Sequence, residues 1–448
     1  MQIMTNSTLK FIDFHTLDKW FVSFYLNPNN LKSSYKFIKL KELIKPKKDK
    51  IKLADYRGDL RVVKKISFSD GKIHIREENE TKMDLYTLYP KDLLVSKINF
   101  HQGAIAINNY EKIVCTTHYQ PYSIDRELVI DEYLILALRN TKFQKHLDFL
   151  RADGIKNEAT SEFIGELEIP LPSLSEQNII VNDYFKKVEA AENLLKQANN
   201  LKGEMEKYFF DALEIIEVQK RNLSKALNIV PFFSVEKWGV EYILSSNSNE
   251  LLKSRKYPNV KLSEIVQINP TTRMPKDDLQ ISFIPMECIS DEYGEVIELR
   301  DKKVSESKGY KKFQEGDLIW ARITPCMQNG KSAIVKNLEN NLGCGSTEFH
   351  VIRNYSQELD LNYVYHILRL KTVLLNAMSC FTGSAGQQRV PKSFLEDLLI
   401  PVPPITIQNE ISSKMTKLKS TVKDLEYRAT AIKKLAQTTF EKEIFSWQ

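Results

Sequence analysis

The stretch Leu398-Leu399-Ile400-Pro401-Val402-Pro403 stands just before a long amphipathic run that starts near Gln408. Half a chain earlier, Leu167-Glu168-Ile169-Pro170-Leu171-Pro172 stands before a similar run that starts near Gln177. Proline fixes φ and disfavours helix in the residue before it, so each stretch predicts a stiff, extended joint that ends where a helix begins. Because the pattern occurs twice, it predicts a duplicated unit and a molecule with a pseudo-two-fold axis.

The duplication extends over most of the chain. Residues 39–43 match 261–265, residues 92–98 match 317–323, and Tyr133 with Arg139 matches Tyr363 with Arg369. The matches keep their order, as expected for a tandem repeat. They predict a first globular domain over residues 1–172, a long helix over 173–218, a second domain over 219–403 and a second long helix over 404–448.

Each globular domain combines both kinds of secondary structure. Alternating apolar runs predict strands at 60–66, 93–98, 104–107 and 113–117, and in the second copy at 281–285, 318–323, 332–335 and 349–352. Helical spacing predicts one helix over 131–149 and its counterpart over 362–378. The predicted fold class is therefore α+β, with two mixed α/β domains in tandem and two long antiparallel coiled-coil helices.

The two long helices are predicted at 176–216 and 408–445, with Ser173, Ser175 and Thr406 as candidate caps. Apolar residues recur at alternating spacings of three and four, as in a coiled-coil stripe, except that Lys202 takes one apolar position. The residues predicted to pack helix on helix are Val181, Val188, Leu195, Met205, Phe209, Ile411, Leu418, Leu425 and Ile432.

Composition limits the classes of protein. The chain has 448 residues, 42% hydrophobic and 27% charged, a globular profile with no apolar run long enough for a membrane helix. The start of the chain lacks an export pattern, so we expect a cytoplasmic protein. Its five cysteines are scattered and form no Cys-x-x-Cys pair, which argues against a disulfide framework or a structural zinc site.

The net charge of +6 is unevenly distributed. Residues 32–65 carry thirteen Lys/Arg and four acids, and residues 300–336 carry nine and four, whereas residues 176–217 carry five and nine. Each copy therefore has a basic stretch in its globular part. This pattern is typical of polyanion-binding modules on a neutral or acidic spacer, although a solvated lysine-rich surface would give it too.

Motifs for catalysis are missing. Residues 326–332 end like a phosphate-binding loop, but Pro325 replaces its first glycine and has no N–H to offer a phosphate. The histidines lack metal-ligand spacing, and Asn269-Pro270-Thr271-Thr272 matches an adenine methyltransferase loop only in part. We therefore predict no catalytic residue, no metal and no cofactor in this chain.

Polar and basic loop residues at matching positions of the two copies are the better candidates for function. Arg, Asn and Gln can pair with base edges, whereas Lys, Ser and Thr mostly hold phosphates. The candidate DNA-binding residues are Lys97, Asn99, Gln102, Thr117, Tyr119, Lys156, Asn157, Arg322, Thr324, Gln328, Lys331, Ser346, Thr347, Gln387, Gln388 and Arg389. Loops that differ on a repeated scaffold would let the halves read different sequences.

These motifs resemble those of the specificity subunit of type I restriction–modification systems. The resemblance rests on Thr382–Val390, on Phe394–Pro403 followed by Gln408 and the long helix, and on Gly316-Asp317 with Arg322. The first copy has Lys91 and Lys97 where the second has Gly316 and Arg322. It also replaces the usual glycine-rich loop by Asp153-Gly154-Ile155-Lys156-Asn157, so contact residues carry over less directly there.

The resemblance implies two target-recognition domains that each read half of a split, asymmetric DNA site. It implies a subunit without activity of its own. Two modification subunits would dock on its helices and methylate adenine with S-adenosylmethionine, and restriction subunits would translocate and cut DNA with ATP and magnesium. The alternative is a coiled-coil scaffold that bridges two protein partners, with loops unable to read bases and salt-insensitive binding. An independent nucleic-acid enzyme would need a nucleotide or metal site.

Overall fold

The computed structural model describes residues 31–150, 159–216, 251–383 and 387–445. The chain divides into two compact units: unit 1 comprises Met1–Asn193 with Arg428–Gln448, and unit 2 comprises Leu194–Tyr427. These units differ from the predicted domains because each unit takes one half of each long helix. In the described part of the chain, no helix is both long and apolar enough to cross a membrane.

Unit 1 combines short strands with helices. Its elements are β1 (Phe37–Lys39), α1 (Leu40–Leu43), β2 (Ile44–Pro46), β3 (Lys50–Ile51), β4 (Val63–Ile66), β5 (Ile73–Ile75), β6 (Leu85–Leu88), β7 (Leu93–Ser96), β8 (Ile105–Ile107), β9 (Ile113–Thr116), β10 (Tyr119–Ile124), α2 (Asp131–Leu138), α3 (Thr141–Leu150), α4 (Ser161–Glu166), β11 (Glu168–Pro170) and the long helix α5 (Leu174–Ala212). The central sheet has the order β2-β10-β7-β8, and β1 pairs with β11. The core packs sheet residues such as Leu93 against Leu134 and Phe143 of the helices.

Unit 2 repeats this plan. Its elements are β12 (Asn259–Lys261), α6 (Leu262–Ile265), β13 (Val266–Ile268), β14 (Gln280–Ile284), β15 (Arg300–Lys303), β16 (Lys311–Gln314), β17 (Leu318–Ala321), β18 (Ser332–Ile334), β19 (Leu342–Gly345), β20 (Phe349–Asn354), α7 (Leu361–Leu368), α8 (Lys371–Ser379), α9 (Lys392–Asp397), β21 (Leu399–Pro401) and the long helix α10 (Ile405–Ile444). The sheet order β13-β20-β17-β18 matches that of unit 1, and β12 pairs with β21. The tandem repeat of mixed α/β domains is confirmed.

The outer sheets of the two units differ. Unit 1 has a three-stranded sheet, β3-β6-β9, and the separate pair β4–β5. Unit 2 has one four-stranded sheet, β15-β14-β19-β16, in which β14 and β19 run parallel. Because β19 leads through a short turn into β20 of the central sheet, the two sheets of unit 2 meet at residues 346–348.

The predictions of a single helix over 131–149 and over 362–378 are wrong. Each stretch forms two helices, separated at Arg139–Asn140 in unit 1 and at Arg369–Leu370 in unit 2. At the first break the Asn140 carboxamide oxygen accepts the Lys142 backbone N–H at 2.8 Å and so starts a new helix. Arg139 meanwhile donates to the carbonyls of Gly103 and Phe68, which ties the break to the sheet side of the unit.

The proline joints are held by a repeated tyrosine. Tyr133 donates its hydroxyl hydrogen to the Pro170 carbonyl at 2.7 Å, and Tyr363 donates to the Pro401 carbonyl at the same distance. Both tyrosines are fully buried. Proline leaves its carbonyl as an acceptor, and a buried carbonyl without a donor would cost about 1–3 kcal/mol. The repeated Tyr residues therefore hold an acceptor that the connectors would otherwise bury unpaired.

The long helices start where the prolines allow. At α5 the Ser173 hydroxyl and the Glu176 carboxylate form a capping box, in which Glu176 accepts the Ser173 backbone N–H at 2.9 Å. The helix α10 begins directly after Pro404, whose carbonyl accepts the N–H groups of Ile407 and Gln408. The predicted cap Thr406 lies inside the first turn, so that prediction is wrong.

In each unit the half-helices run antiparallel. In unit 1, the rings of Tyr184 of α5 and Phe440 of α10 pack edge to face with centroids 5.9 Å apart. In unit 2, Lys202 of α5 lies beside Glu426 of α10. Phe209 comes later in α5 and shares a buried cluster with Ile411, which comes earlier in α10, so the two half-helices run in opposite directions. Of the nine predicted packing residues, Val181, Phe209, Ile411 and Leu425 are buried, and Val188, Leu195, Met205, Leu418 and Ile432 are half-buried.

Candidate nucleic-acid interface

Three segments of unit 2 that are distant in sequence meet at one place. The backbone N–H of Arg322, after β17, donates to the Glu348 carbonyl in the β19–β20 turn at 2.9 Å. The backbone N–H of Val390 donates to the Arg322 carbonyl at 2.8 Å, and the backbone N–H of Thr324 donates to the Gln388 carbonyl at 3.0 Å. The structure thus brings the predicted residues Arg322, Thr324 and Gln388 together.

A carboxylate is shared by two arginines at the centre of this site. Arg389 donates Nε and Nη2 to Glu348, at 2.9 and 2.7 Å, and donates Nη1 to the Gln387 carbonyl at 2.9 Å. Arg322 Nε lies 3.8 Å from the second Glu348 oxygen. The hydrogen bond from Arg389 lowers the pKa of Glu348, so the carboxyl is ionised at neutral pH. Each of the three guanidinium nitrogens of Arg389, a predicted base reader, therefore makes a hydrogen bond within its own unit.

Arg322 is different. Its side chain is about one-third exposed, and its buried Nε has no hydrogen-bond partner among the described residues. Burial lowers the pKa of Lys311, and the charges of Arg322 and Lys392 lower it further. Lys392 also pairs with Glu396 at 2.6 Å. Arg322 and Arg389 thus lie at Glu348, and Lys311 lies close enough to Arg322 and Lys392 for their charges to act on it. This concentration of cations favours a polyanion as partner.

The His350 side chain joins two segments of the site through its ring nitrogens. The Val390 carbonyl can only accept, so His350 Nε2 carries the proton at 3.0 Å, and Nδ1 accepts from the Asn269 amide at 3.0 Å. Burial lowers the pKa of His350 to about 4, so the ring is neutral at neutral pH. Its ring also stacks on Trp320, with centroids 6.2 Å apart. His350 thus couples the strand β20 to the segment that carries Gln388 and Arg389.

Unit 1 has the same backbone arrangement with other side chains. The Lys97 N–H donates to the His118 carbonyl at 2.9 Å, and the Ala159 N–H donates to the Lys97 carbonyl at 2.8 Å. Lys97 stands where unit 2 has Arg322, and the exposed His118 stands where it has Glu348. Lys97 Nζ lies 5.7 Å from the centre of the Tyr86 ring. Thr117 lies in the turn beside His118, whereas Tyr119 is half-buried in β10 opposite Ser96.

The other predicted DNA-binding residues have less uniform positions. Asn99 and Gln102 lie in the loop after β7, where Gln102 is exposed. Gln328, Thr347 and Gln387 are exposed loop residues, and the Ser346 hydroxyl accepts the Glu348 backbone N–H. Lys331 Nζ donates one hydrogen bond to the Met286 carbonyl at 3.1 Å, within its own unit. Lys156 and Asn157 lie outside the described residues.

Sequence reasoning missed Glu348, Lys311 and Lys392. A carboxylate runs against the charge pattern of a polyanion site, so nothing in the sequence singled out Glu348. Its neighbours come from segments more than twenty residues away on either side. Lys311 lies in the basic stretch 300–336 and Lys392 lies well beyond it, and charge counting alone does not distinguish either from other lysines. The described residues contain no group of three or more His, Cys, Asp or Glu side chains placed to hold a metal ion.

A family model confirms what the repeated site indicates. The model of the type I restriction modification DNA specificity domain matches the chain twice, over residues 32–202 and 255–443. This chain belongs to that family. Each match covers one copy of the repeat, so the specificity domain occurs once with the Lys97 site and once with the Arg322 site.

Individual relatives agree with this membership. The specificity subunits of the type I restriction enzymes EcoEI and EcoAI from Escherichia coli are 42% and 40% identical to this specificity-domain protein, over 171 and 169 residues. Each alignment covers 38% of this chain, and the chain spans only 29% of the length of each relative. A chain from a solved type I R-M system has the same fold, with a TM-score of 0.59 at 15% identity, covering 92% of this chain and 98% of that one.

Proposed function

We propose that this protein is the sequence-specific DNA-binding subunit of a type I restriction–modification complex. Each unit would read one half of a bipartite, asymmetric site. The observation that carries the proposal is the repeated three-segment site with unlike side chains: Lys97 and His118 in unit 1, Arg322 and Glu348 in unit 2. One scaffold with two sets of reading groups suits a target with two different half-sites.

Electrostatics supports a nucleic-acid partner. Arg322 and Arg389 lie at Glu348, and Lys311 lies close to Arg322. The Arg322 side chain is partly exposed, and its buried Nε has no hydrogen-bond partner among the described residues. Arginine is the side chain best suited to guanine edges and phosphates. A scaffold that only bridged two proteins would leave this arrangement without a role.

The long helices suit the docking of other subunits. They leave large apolar side chains in solvent: Ile179 is 68% exposed, Tyr427 is 74% exposed and Leu435 is 54% exposed. A partner subunit that covered these side chains would remove their apolar surface from water, which would favour the contact. We propose that modification subunits dock here and carry S-adenosylmethionine, and that restriction subunits bring ATP and magnesium. The present chain would then contribute recognition and no catalysis.

Methylation mapping tests the proposal. The protein is co-expressed with the modification subunit encoded with it, and methylated adenines are located across the host DNA. We expect a split motif with a fixed gap. Exchange of residues 1–172 for those of a relative should change one half-site and leave the other intact. An unbroken motif, or methylation that ignores sequence, would contradict the proposal.

A further inference from the structure

The position of Glu348 poses a question of charge. An ionised carboxylate in a polyanion site repels phosphates, and a site built only for the DNA backbone would do better with an amide. Glu348 is nonetheless held firmly, because Arg389 Nε and Nη2 bind both of its oxygens and Gln387 holds the third arginine nitrogen. The Glu348 side chain is about one-quarter exposed. It is therefore fixed in place and still has lone pairs to offer a donor from outside.

Arg322 stands beside it as a donor without an acceptor. The pair is 3.8 Å apart, too far for a direct hydrogen bond but close enough for both groups to address one object. The Arg322 backbone is held by hydrogen bonds to the backbones of Glu348 and Val390. A fixed acceptor next to a fixed donor is a recognition pattern rather than a neutralised patch.

We propose that Glu348 and Arg322 together read one G·C base pair in the half-site recognised by unit 2. In the major groove, cytosine presents its N4 amino group as a donor and guanine presents O6 and N7 as adjacent acceptors. Cytosine N4 and guanine O6 are about 3 Å apart because they share a Watson–Crick hydrogen bond. The carboxylate accepts from N4, the guanidinium donates to O6 and N7, and Arg389 acts as a positioning residue. This inference rests on the proposed function.

An A·T pair fits this arrangement less well. Adenine N6 could donate to a carboxylate, but thymine then presents a single acceptor, O4, beside its methyl group. The guanidinium would lose one of its two bonds and meet an apolar group. In unit 1 the equivalent positions are Lys97 and His118, which include no carboxylate, so this pairing is proposed for the half-site of unit 2 alone.

The test is selection from a duplex library by the complex of this protein with its modification subunit. Wild type should select at least one G·C pair in the half-site that stays unchanged when residues 1–172 are exchanged. Glu348→Gln should lower the preference for G·C at one position by roughly tenfold, with the other positions retained. Glu264→Gln, which removes an exposed carboxylate from the same unit, is the matched control and should leave every preference unchanged.

A second measurement works on the DNA, so it does not depend on the variant folding. N4-methylcytosine, or 7-deazaguanine, at the assigned position should weaken binding of the wild-type complex about tenfold. The same substitutions in the other half-site should follow a different pattern. A unit 2 half-site without G·C, or equal loss of affinity for all sequences in Glu348→Gln, would overturn the inference. Failure of wild type to select any sequence would instead refute the proposed function.

Discussion

Gln177 and Gln408 make the same three hydrogen bonds, one repeat apart. Gln177 Nε2 donates to the carbonyls of Leu128 and Pro172 at 2.9 Å, and its Oε1 accepts the Ile130 N–H at 2.9 Å. Gln408 does the same with Glu358, Pro403 and Asp360, at 3.0, 2.8 and 2.9 Å. Both side chains are fully buried. Each glutamine thus fixes the first turn of a long helix to the globular part of its unit.

Replacing Gln177 by Leu should destabilise the protein strongly. The change replaces the carboxamide by an apolar side chain of similar size and leaves two carbonyls and one N–H without the Gln177 partner. Each buried unpaired group costs about 1–3 kcal/mol, so we expect a loss of about 3 kcal/mol or more in the free energy of unfolding. Denaturant unfolding of the full chain measures it. Gln197→Leu, at an exposed position of the same helix, should have little effect.

Arg322→Ala should weaken specific DNA binding by about 1–3 kcal/mol and relax selectivity in one half-site only. The reason is that its buried Nε has no hydrogen-bond partner within the described residues and its partly exposed side chain lies beside Glu348. Titration of a duplex carrying the mapped site, at several salt concentrations, gives the affinity and the salt dependence.

Two further variants sharpen this comparison. Lys331→Ala should change binding less, because Lys331 Nζ is engaged by the Met286 carbonyl. Arg255→Ala removes an exposed arginine elsewhere in unit 2 and serves as the charge-matched control. If Lys331→Ala costs as much as Arg322→Ala, the placement of the reading groups is wrong.

Lys202, which interrupts the apolar stripe of α5, should contribute through Glu426. Its Nζ lies 2.6 Å from the Glu426 carboxylate, which also accepts the Tyr293 hydroxyl at 2.7 Å. Lys202→Met would restore the stripe but leave Glu426 without this cation. We expect a loss of about 1 kcal/mol, because the lysine is partly exposed and solvent screens the pair. A double-mutant cycle with Glu426→Gln measures the coupling, and Lys196→Met is the exposed control; zero coupling would argue against a role for the pair.

His350 should make the free energy of unfolding decrease at acidic pH. Burial first, and then the charges of Arg322, Lys311 and Lys392, lower its folded pKa to about 4 from an ordinary value of 6.5. As pH falls through 6.5 the unfolded chain takes up the proton and the folded chain does not, so folding loses stability between pH 6.5 and about 4. The His350→Gln variant has no imidazole at this position to take up a proton, so it lacks this pH dependence. At pH 7 it should nevertheless be less stable than wild type.

The stability gap between wild type and His350→Gln should therefore narrow as pH falls across that window. Unfolding in denaturant at several pH values measures the gap, and His74→Gln, at an exposed position of unit 1, is the control. A gap that stays constant from pH 7 to pH 4 would mean that His350 is not held neutral by its surroundings.

Local patterns carried the sequence predictions that hold. The repeat, the proline joints, the central strands and both long helices follow from residue order, periodicity and the fixed φ of proline, and neighbouring residues alone determine these features. The resemblance to specificity subunits rests on the same short motifs. The breaks at Arg139 and Arg369 escaped this reasoning because their side chains bond to carbonyls far away in the chain.

The site itself was decided by tertiary structure. The sequence by itself determined that basic loop tips occur twice, on matching scaffolds, and it indicated Arg322 and Lys97 as candidate DNA-binding residues. Only the fold placed Glu348 between Arg322 and Arg389, set His350 beneath them and engaged Lys331 with a carbonyl. The physical reason is that the partners of a charged side chain decide whether it is available to bind DNA. These partners lie on strands and turns that are distant in sequence and that only the folded sheets bring together.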